Sequence, residues 1–392
     1  MAESATVEDL ITNMTAVSSH KMVKGETILF IDEVQECKDI VTKIKFWVED
    51  KRFQYVLSGS LLGVELRNLR SAPVGYVTEI KMYPLDFEEF LLASGVLEET
   101  IGYLKKCYDE STPVDETVND TIFKHMKRYL VVGGMPQAVN EYVESGDIGA
   151  VTEIHQSIIE FYKRDFTKYE SENKKLMLVA VYGQIPSQLL KQNKRFNYSD
   201  IKKKLRFERI EDSFLWLTYA GVSIPVYNTT EPRVSLNQNA KRSLLKLYSS
   251  DVGLLTCQYG NALRARILMS DDNVNLGGVY ENFIAQELNA HQFDLYFYNS
   301  HRLGELDFVI ERDLSIIPIE VKSGKDYYVH SAITKATDNP EYEIKESIVF
   351  ANCNIHFEGK IKYLPAYMVM FLSDDISAPI LKKLPVQIRS EE

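Results

Sequence analysis

The tightest constraint on this chain is the run Ile28-Leu-Phe-Ile followed at once by Asp32-Glu33. A short apolar run with β-branched residues reads as a strand buried within a parallel sheet. In open sheets of that kind, ligands collect at the carboxyl ends of the strands. A carboxylate pair placed there can hold Mg²⁺ and aim a water at a phosphate. That chemistry also needs a glycine-rich loop, G-x-x-x-x-G-K-[ST], to cradle the phosphates. The 27 residues before Ile28 contain none, and none follows: Gly324-Lys325 precedes Asp326, and Gly359-Lys360 precedes Ile361. Two readings remain open: an ATPase cut short at its N-terminus, or a chain that resembles one and does not hydrolyse ATP.

A length of 392 residues predicts two or three domains. The 45% hydrophobic and 26% charged fractions are those of an ordinary globular protein. Apolar runs such as Ala366–Leu372 are far shorter than a membrane span, and the early residues hold no apolar signal core. Cys37, Cys107, Cys257 and Cys353 are isolated, which argues for a reduced cytoplasm and against disulfides or structural zinc. The histidines fall singly, without metal-ligand spacing. At a net charge of −11, nucleic-acid binding requires a local patch.

Within the N-terminal segment, Thr27–Val34, Phe53–Leu57 and Val77–Met82 are predicted strands. Ile40, Val41, Ile44, Trp47 and Val48 recur at helical spacing between the first two. Strand, helix, strand is the order of a parallel sheet with right-handed crossovers. Asp32, Glu33, Ser58 and Ser60 all fall at strand ends. Asp32 would hold Mg²⁺ through water, and Glu33 would polarise the attacking water. Ser58 or Ser60 would sense the terminal phosphate. The plainer alternative is that Asp32 and Glu33 cap the following helix. Asp86-Phe-Glu-Glu89 has the spacing of a capping box, Gly133-Gly134 before Pro136 reads as a tight turn, and Asp251-Val-Gly-Leu-Leu255 reads as a structural joint.

Ile28–Glu36, then Leu57-Ser-Gly-Ser-Leu-Leu62, then Tyr83-Pro-Leu-Asp-Phe-Glu-Glu-Phe90 follow one another as in a family of prokaryotic AAA-type (P-loop) ATPases. Members of that family carry a C-terminal nuclease-like domain. Val132-Gly-Gly-Met-Pro136 and Arg164-Asp-Phe-Thr-Lys-Tyr169 resemble two further landmarks, so the resemblance runs over nearly the whole chain. It implies that Asp32 and Glu33 are the Walker B pair, with Glu33 catalytic, and that Ser58–Ser60 is the sensor. The chain departs from the family in lacking the Walker A loop. It also has Tyr76 after Gly75, where many relatives carry a basic residue.

The middle of the chain is locally basic. Between Ser171 and Arg233 there are eleven Lys and Arg against six Asp and Glu. Three short helices are expected, at about 173–183, 186–192 and 209–220, ended by Gly221 and followed by an extended segment, Val222–Tyr227. Three helices and a wing are the order of a winged helix-turn-helix, and the resemblance implies the same module. Lys194, Arg195, Lys202, Lys203, Lys204 and Arg206 are the candidate DNA contacts, within a cluster that also holds Lys191 and Arg209. The alternative is a solvated helical face, or a lid over the ATP site.

In the last third, Gly304-Glu-Leu-Asp-Phe-Val-Ile310 alternates, and so does the end of Ile316-Ile-Pro-Ile-Glu-Val-Lys322. Alternation puts Glu305 with Asp307, and Glu320 with Lys322. A hairpin turn over Glu311–Ser315 would bring Asp307 near Glu320. Two carboxylates and water oxygens suit Mg²⁺, and a neighbouring lysine can stabilise charge on a phosphate. Tyr280–Leu288 is an expected helix whose Glu281 could add a carboxylate. This set resembles the PD-(D/E)XK nuclease fold. The resemblance implies Glu281, Asp307 and Glu320 as metal ligands, the Val321 carbonyl as a further one, and Lys322 as catalytic. Domains of that superfamily can lose catalysis and still bind DNA. The alternative is a surface salt bridge on an exposed sheet edge. Arg302 could meet a phosphate, or lie in a solvated loop.

The expected architecture is α/β in three parts. A truncated parallel-sheet AAA-type core with a helical extension spans 1–145, a winged-helix segment spans 146–240, and a restriction-endonuclease-like domain spans 241–392. The expected function is an ATP-binding, ATPase-deficient member of the AAA-type family linked to DNA binding or processing, with Mg²⁺-dependent phosphodiester cleavage open to the C-terminal domain. The alternative is a non-catalytic DNA- or protein-binding module. Expected partners are DNA and a second copy of the chain, with a cytoplasmic location and no membrane.

Overall fold

Helix α1 (Val7–Val17) precedes the apolar run, which forms strand β1 (Ile28–Ile31). Helix α2 (Lys38–Asp50) then crosses to strand β2 (Gln54–Leu57), which pairs parallel to β1 from Ile28↔Gln54 to Ile31↔Leu57. The structure is a computed structural model describing residues 7–17, 22–34, 38–59, 76, 78–166, 172–271 and 274–373. Val34, Ile40, Ile44 and Trp47 form a core with Met14, Ile31, Val48, Tyr55 and Leu57 packed against it. Strand alternation explains why Leu29 is buried while Ile28 and Phe30 are 59% and 62% exposed. The third expected strand does not form among the described residues. Val77 lies outside them, and residues 78–82 have no regular structure. Ile80 and Met82 are exposed, so no burial favours a strand there.

The chain divides into two compact units, Met1–Met82 with Leu215–Ala220, and Tyr83–Phe214 with Gly221–Glu392. The second unit begins with helices: α3 (Phe87–Ala93), α4 (Glu98–Glu110), α5 (Glu116–Val132), α6 (Pro136–Ser145), α7 (Ile148–Asp165) and α8 (Glu172–Leu189). The capping box forms as expected. Glu89 N donates to Asp86 Oδ1 at 2.8 Å, and Asp86 N donates to Glu89 Oε2 at 3.0 Å. Phe87, Phe90 and Leu91 on α3 are fully buried.

The middle segment differs from a winged helix. Residues 172–189 form one helix with Pro186 inside it, not two. The following stretch to Arg209 holds only two short 3₁₀ turns before α9 (Glu211–Tyr219). The expected wing is strand β3 (Ser223–Thr229), which lies inside a large sheet. Strand β4 (Ala240–Ser249) flanks it on one side. Helices α10 (Val252–Tyr259), α11 (Asn261–Leu268) and α12 (Gly277–Ala290) follow. Then come β5 (Tyr296–Ser300), β6 (Gly304–Arg312), β7 (Ser315–Val321), α13 (Ser331–Thr337), β8 (Ser347–Ala351), β9 (His356–Glu358) and β10 (Ile361–Pro365). The sheet order is β4-β3-β5-β6-β7-β8-β10-β9, a mixture of parallel and antiparallel pairs. A wing would keep one side in solvent, whereas β3 is buried along most of its length and pairs on both edges.

Gly133-Gly134 is a close-approach turn. Gly133 has φ +69°, and a Cβ on Gly134 would lie 1.9 Å from the Leu85 carbonyl oxygen. Gly134 N donates to Asp251 Oδ2 at 2.7 Å, and Asp251 Oδ1 caps α10 by accepting from Leu254 N at 2.8 Å. The joint expected around Asp251 is therefore a carboxylate bridging two helix ends. Beside it, buried Arg264 donates to the Val131 carbonyl at 3.0 Å, and His155 Nε2 donates to the Val132 carbonyl at 2.9 Å. Both satisfy carbonyls at the end of α5 that have no partner within the helix.

Candidate functional site

Pairing past the end of β1 and β2 sets the first group of candidates. Ser58 N donates to the Ile31 carbonyl at 2.9 Å, and Val34 N to the Ser58 carbonyl at 3.0 Å. This ladder puts Asp32 and Ser58 side by side at the carboxyl end of the parallel pair. Ser58 Oγ donates to Asp32 Oδ1, which also accepts from Glu33 N at 3.0 Å. Glu33 is exposed, with φ +50°, a left-handed conformation that is uncommon for a non-glycine residue. Ser60 lies outside the described residues, as do 35–37, where a helix cap would fall. An exposed carboxylate beside a hydroxyl fits a hydrated Mg²⁺, which keeps several of its waters when bound.

The second group forms on β4, β6, β7 and α12. The hairpin between β6 and β7 closes through Asp313 and Leu314, both with positive φ, as a two-residue type I′ turn requires. Its register, Phe308↔Ile319, sets Asp307 beside Glu320 on the neighbouring strand. Val321 N donates to Asp307 Oδ2 at 2.9 Å, and Lys322 Nζ lies 2.8 Å from Glu320 Oε1. Glu281, in the first turns of buried α12, joins them. It accepts from Tyr248 Oη at 2.9 Å and pairs with Lys194 Nζ at 2.7 Å. Glu281 and Glu320 both act on the Asp307 carboxyl, and Glu281 acts on Glu320. They do not lie on an exposed sheet edge: Glu281 and Glu320 are buried.

The feature that sequence reasoning missed is Lys246. It is fully buried on β4, and its ammonium lies 2.7 Å from Glu305 Oε1, 3.7 Å from Asp307 Oδ1 and 3.9 Å from Glu281 Oε2. A lone lysine inside the apolar run Leu244-Leu-Lys-Leu-Tyr248 was the available signal, because a buried ammonium needs anionic partners. Asn299 Nδ2 holds the other Glu305 oxygen at 2.5 Å.

Burial, then Glu281 and Glu320, push the Asp307 carboxyl well above its ordinary range. Burial also raises Glu320, against the opposing effect of Lys322. Burial acts to raise Glu305 too, but Lys246 outweighs it and leaves that carboxyl below its usual value. Burial alone would lower Lys246, yet Glu281, Asp307 and Glu305 hold its ammonium above the ordinary lysine value. Four carboxyl groups thus face the ammoniums of Lys194, Lys246 and Lys322.

The residues expected to bind Mg²⁺ converge but do not fit a divalent ion as placed. The position among their oxygens is taken by the Lys246 ammonium. Among the described residues, no group of three or more His, Cys, Asp or Glu side chains is arranged to hold a metal.

The basic segment splits in two. Lys191 pairs with Asp200, Lys194 turns into the carboxylate cluster, and half-buried Arg195 donates through Nε to Asn193 at 3.1 Å. Lys202, Lys203, Lys204, Arg206 and Arg209 are exposed and form no ion pair with the described residues. A cavity of about 420 Å³ opens beside Lys191 and Lys194.

Residues 2–91 match the family model of an AAA domain. That match supports a P-loop ATPase relationship for this part of the chain. Residues 123–264 match a domain of unknown function (DUF8612), and residues 276–368 match another (DUF4143). No curated protein matches the chain. Among solved structures, the Walker-type ATPase PABY2304 of Pyrococcus abyssi aligns at 14% identity with a TM-score of 0.36. The alignment covers 60% of this chain and 63% of that one. No helix among the described residues is long and apolar enough to cross a membrane.

Proposed function

We propose that this is a nucleic-acid-binding protein of the P-loop ATPase kind, which grips DNA through the basic segment 202–209. The observation that carries this reading is the set of exposed side chains Lys202, Lys203, Lys204 and Arg206, which form no ion pair with the described residues. Neighbouring Lys191 and Lys194 have carboxylate partners, and the chain as a whole is acidic. Adjacent like charges repel one another, so a polyanion is the partner that best relieves them. Asp32 and Ser58 would hold the hydrated Mg²⁺ of a bound nucleotide, and that ion would neutralise phosphate charge. Phosphodiester cleavage by the Glu281–Lys322 cluster is the weaker reading, because Lys246 sits among the carboxylates that a metal would need.

The test is duplex DNA affinity, followed by fluorescence anisotropy between 50 and 200 mM salt. Wild type should weaken steeply as salt rises, roughly a factor of 10 or more for every few phosphates contacted. Replacing Lys202, Lys203 and Lys204 together by Ala should remove most of that dependence. Binding that ignores both salt and the triple substitution would sink the proposal.

A further inference from the structure

We propose that Lys246 stands where a divalent cation would sit. Its ammonium closes a latent metal site formed by Glu281, Glu305, Asp307 and Glu320, and the natural chain binds no metal there. The inference rests on the geometry of this cluster, and it stands or falls separately from DNA binding by residues 202–209.

Three observations carry it. First, the carboxylates come from three different elements, α12, β6 and β7, as oxygen ligands gathered around one hard cation do. Second, the Lys246 ammonium is fully buried and reaches three of the four carboxylates at 2.7, 3.7 and 3.9 Å. Third, two polar atoms of the cluster are left over among the described residues: Glu320 Oε2 and the Lys246 ammonium are both buried without a hydrogen-bond partner, the ammonium being held by ion pairs alone. Glu320 lies beside Asp307 across the β6–β7 pair and holds Lys322 at 2.8 Å, so it belongs to the same cluster. A monovalent ammonium leaves such an oxygen unsatisfied, whereas a divalent ion with six ligands has room for it. Mg²⁺ and Mn²⁺ draw oxygens to about 2.1 Å. The ring would contract around them once the lysine stem was gone.

Tyr248 and Lys194 complete the lock from either side. Tyr248 Oη donates to Glu281 Oε2, and Lys194 holds Glu281 Oε1. Both Glu281 oxygens are therefore occupied by protein donors.

The experiment compares wild type with Lys246→Ala in the full chain. It measures bound Mn²⁺ by electron paramagnetic resonance and the melting temperature with and without Mn²⁺. Asp307→Asn, alone and combined with Lys246→Ala, separates this site from any Mn²⁺ held elsewhere. Wild type should bind no Mn²⁺ that Asp307→Asn removes. Lys246→Ala should melt lower than wild type without metal, gain one Asp307-dependent Mn²⁺, and recover about 5 °C on saturation. Should Lys246→Ala fail to fold alone, its refolding yield with and without Mn²⁺ becomes the readout. Recovery that depends on Asp307 supports the proposal, and equal failure in both overturns it. Asp307-dependent Mn²⁺ on wild type, or none on the folded variant, also overturns it.

Discussion

Lys246 and Glu305 meet at 2.7 Å across the sheet, the ammonium wholly out of contact with solvent and the carboxylate partly within reach of it. This pair sets the character of the C-terminal cluster. Desolvating a charge costs several kcal/mol, and only well-placed opposite charges offset it. The cluster supplies three of them within 4 Å of the ammonium, from Glu305, Asp307 and Glu281. A site evolved around a mobile metal would not need a resident cation.

Tyr248→Phe tests how tightly the cluster is satisfied. It removes a buried hydroxyl that donates to the Glu281 carboxylate at 2.9 Å. Hydrogen bonds to charged groups are worth about 1.5–3 kcal/mol. Urea denaturation should show a loss of that size with an unchanged m-value.

Stability should fall as pH rises from about 6.5 to 8. Burial, then Asp86, push the Glu287 carboxyl up to about 8 from an ordinary value near 4.5. The folded chain therefore holds a proton that the unfolded chain releases, and folding weakens as pH climbs through that window. His291 acts in the same sense, since Asp86 and Glu287 raise it despite its burial. Asp251, pushed up to about 6 by burial, and His155, lowered to about 4 by burial, oppose each other at lower pH. Glu287→Gln keeps an acceptor for Phe87 N and carries no charge. Its melting temperature should change less between pH 6.5 and 8 than that of wild type.

Two glycines should respond in opposite directions. Gly134→Ala drives a Cβ into the Leu85 carbonyl, whose position is set by backbone bonds. Overpacking of this kind costs about 1–3 kcal/mol or more. Gly183, inside α8, has open space around its would-be Cβ. Gly183→Ala should stabilise by about 0.5–1 kcal/mol. Paired chemical denaturation curves read both.

Arg206→Ala should reduce the slope of log affinity against log salt by about 1 and affect all DNA sequences alike. A loss confined to one sequence would mean that Arg206 reads a base instead.

Local signals carried well from sequence to structure. The capping box at Asp86, the turn at Gly133-Gly134 and the β6–β7 hairpin each depend on residues close together in the chain. Their backbone preferences act with few competitors. The neighbours of a strand are another matter. Val222–Tyr227 has the local character of any short extended segment, and only its pairing with β4 and β5 makes it a sheet interior. The carboxylates of the cluster were legible because a single hairpin brings Asp307 and Glu320 together. Lys246 was not, because its partners come from 35 to 61 residues away along the chain. The same holds for Lys194: its charge is visible in the sequence and points to DNA, but its partner Glu281 lies 87 residues further on.

The bond from Phe87 N to Glu287 Oε1 at 3.1 Å has a practical consequence. The stretch recognised as AAA ends at residue 91, yet residues 83–91 belong to the later unit, where Phe87, Phe90 and Leu91 are sealed from solvent. Fragments cut at the recognised limit would strip three large side chains from one piece and leave them bare on the other. A C-terminal fragment that starts at Tyr83 keeps these anchors with the helix they are bonded to.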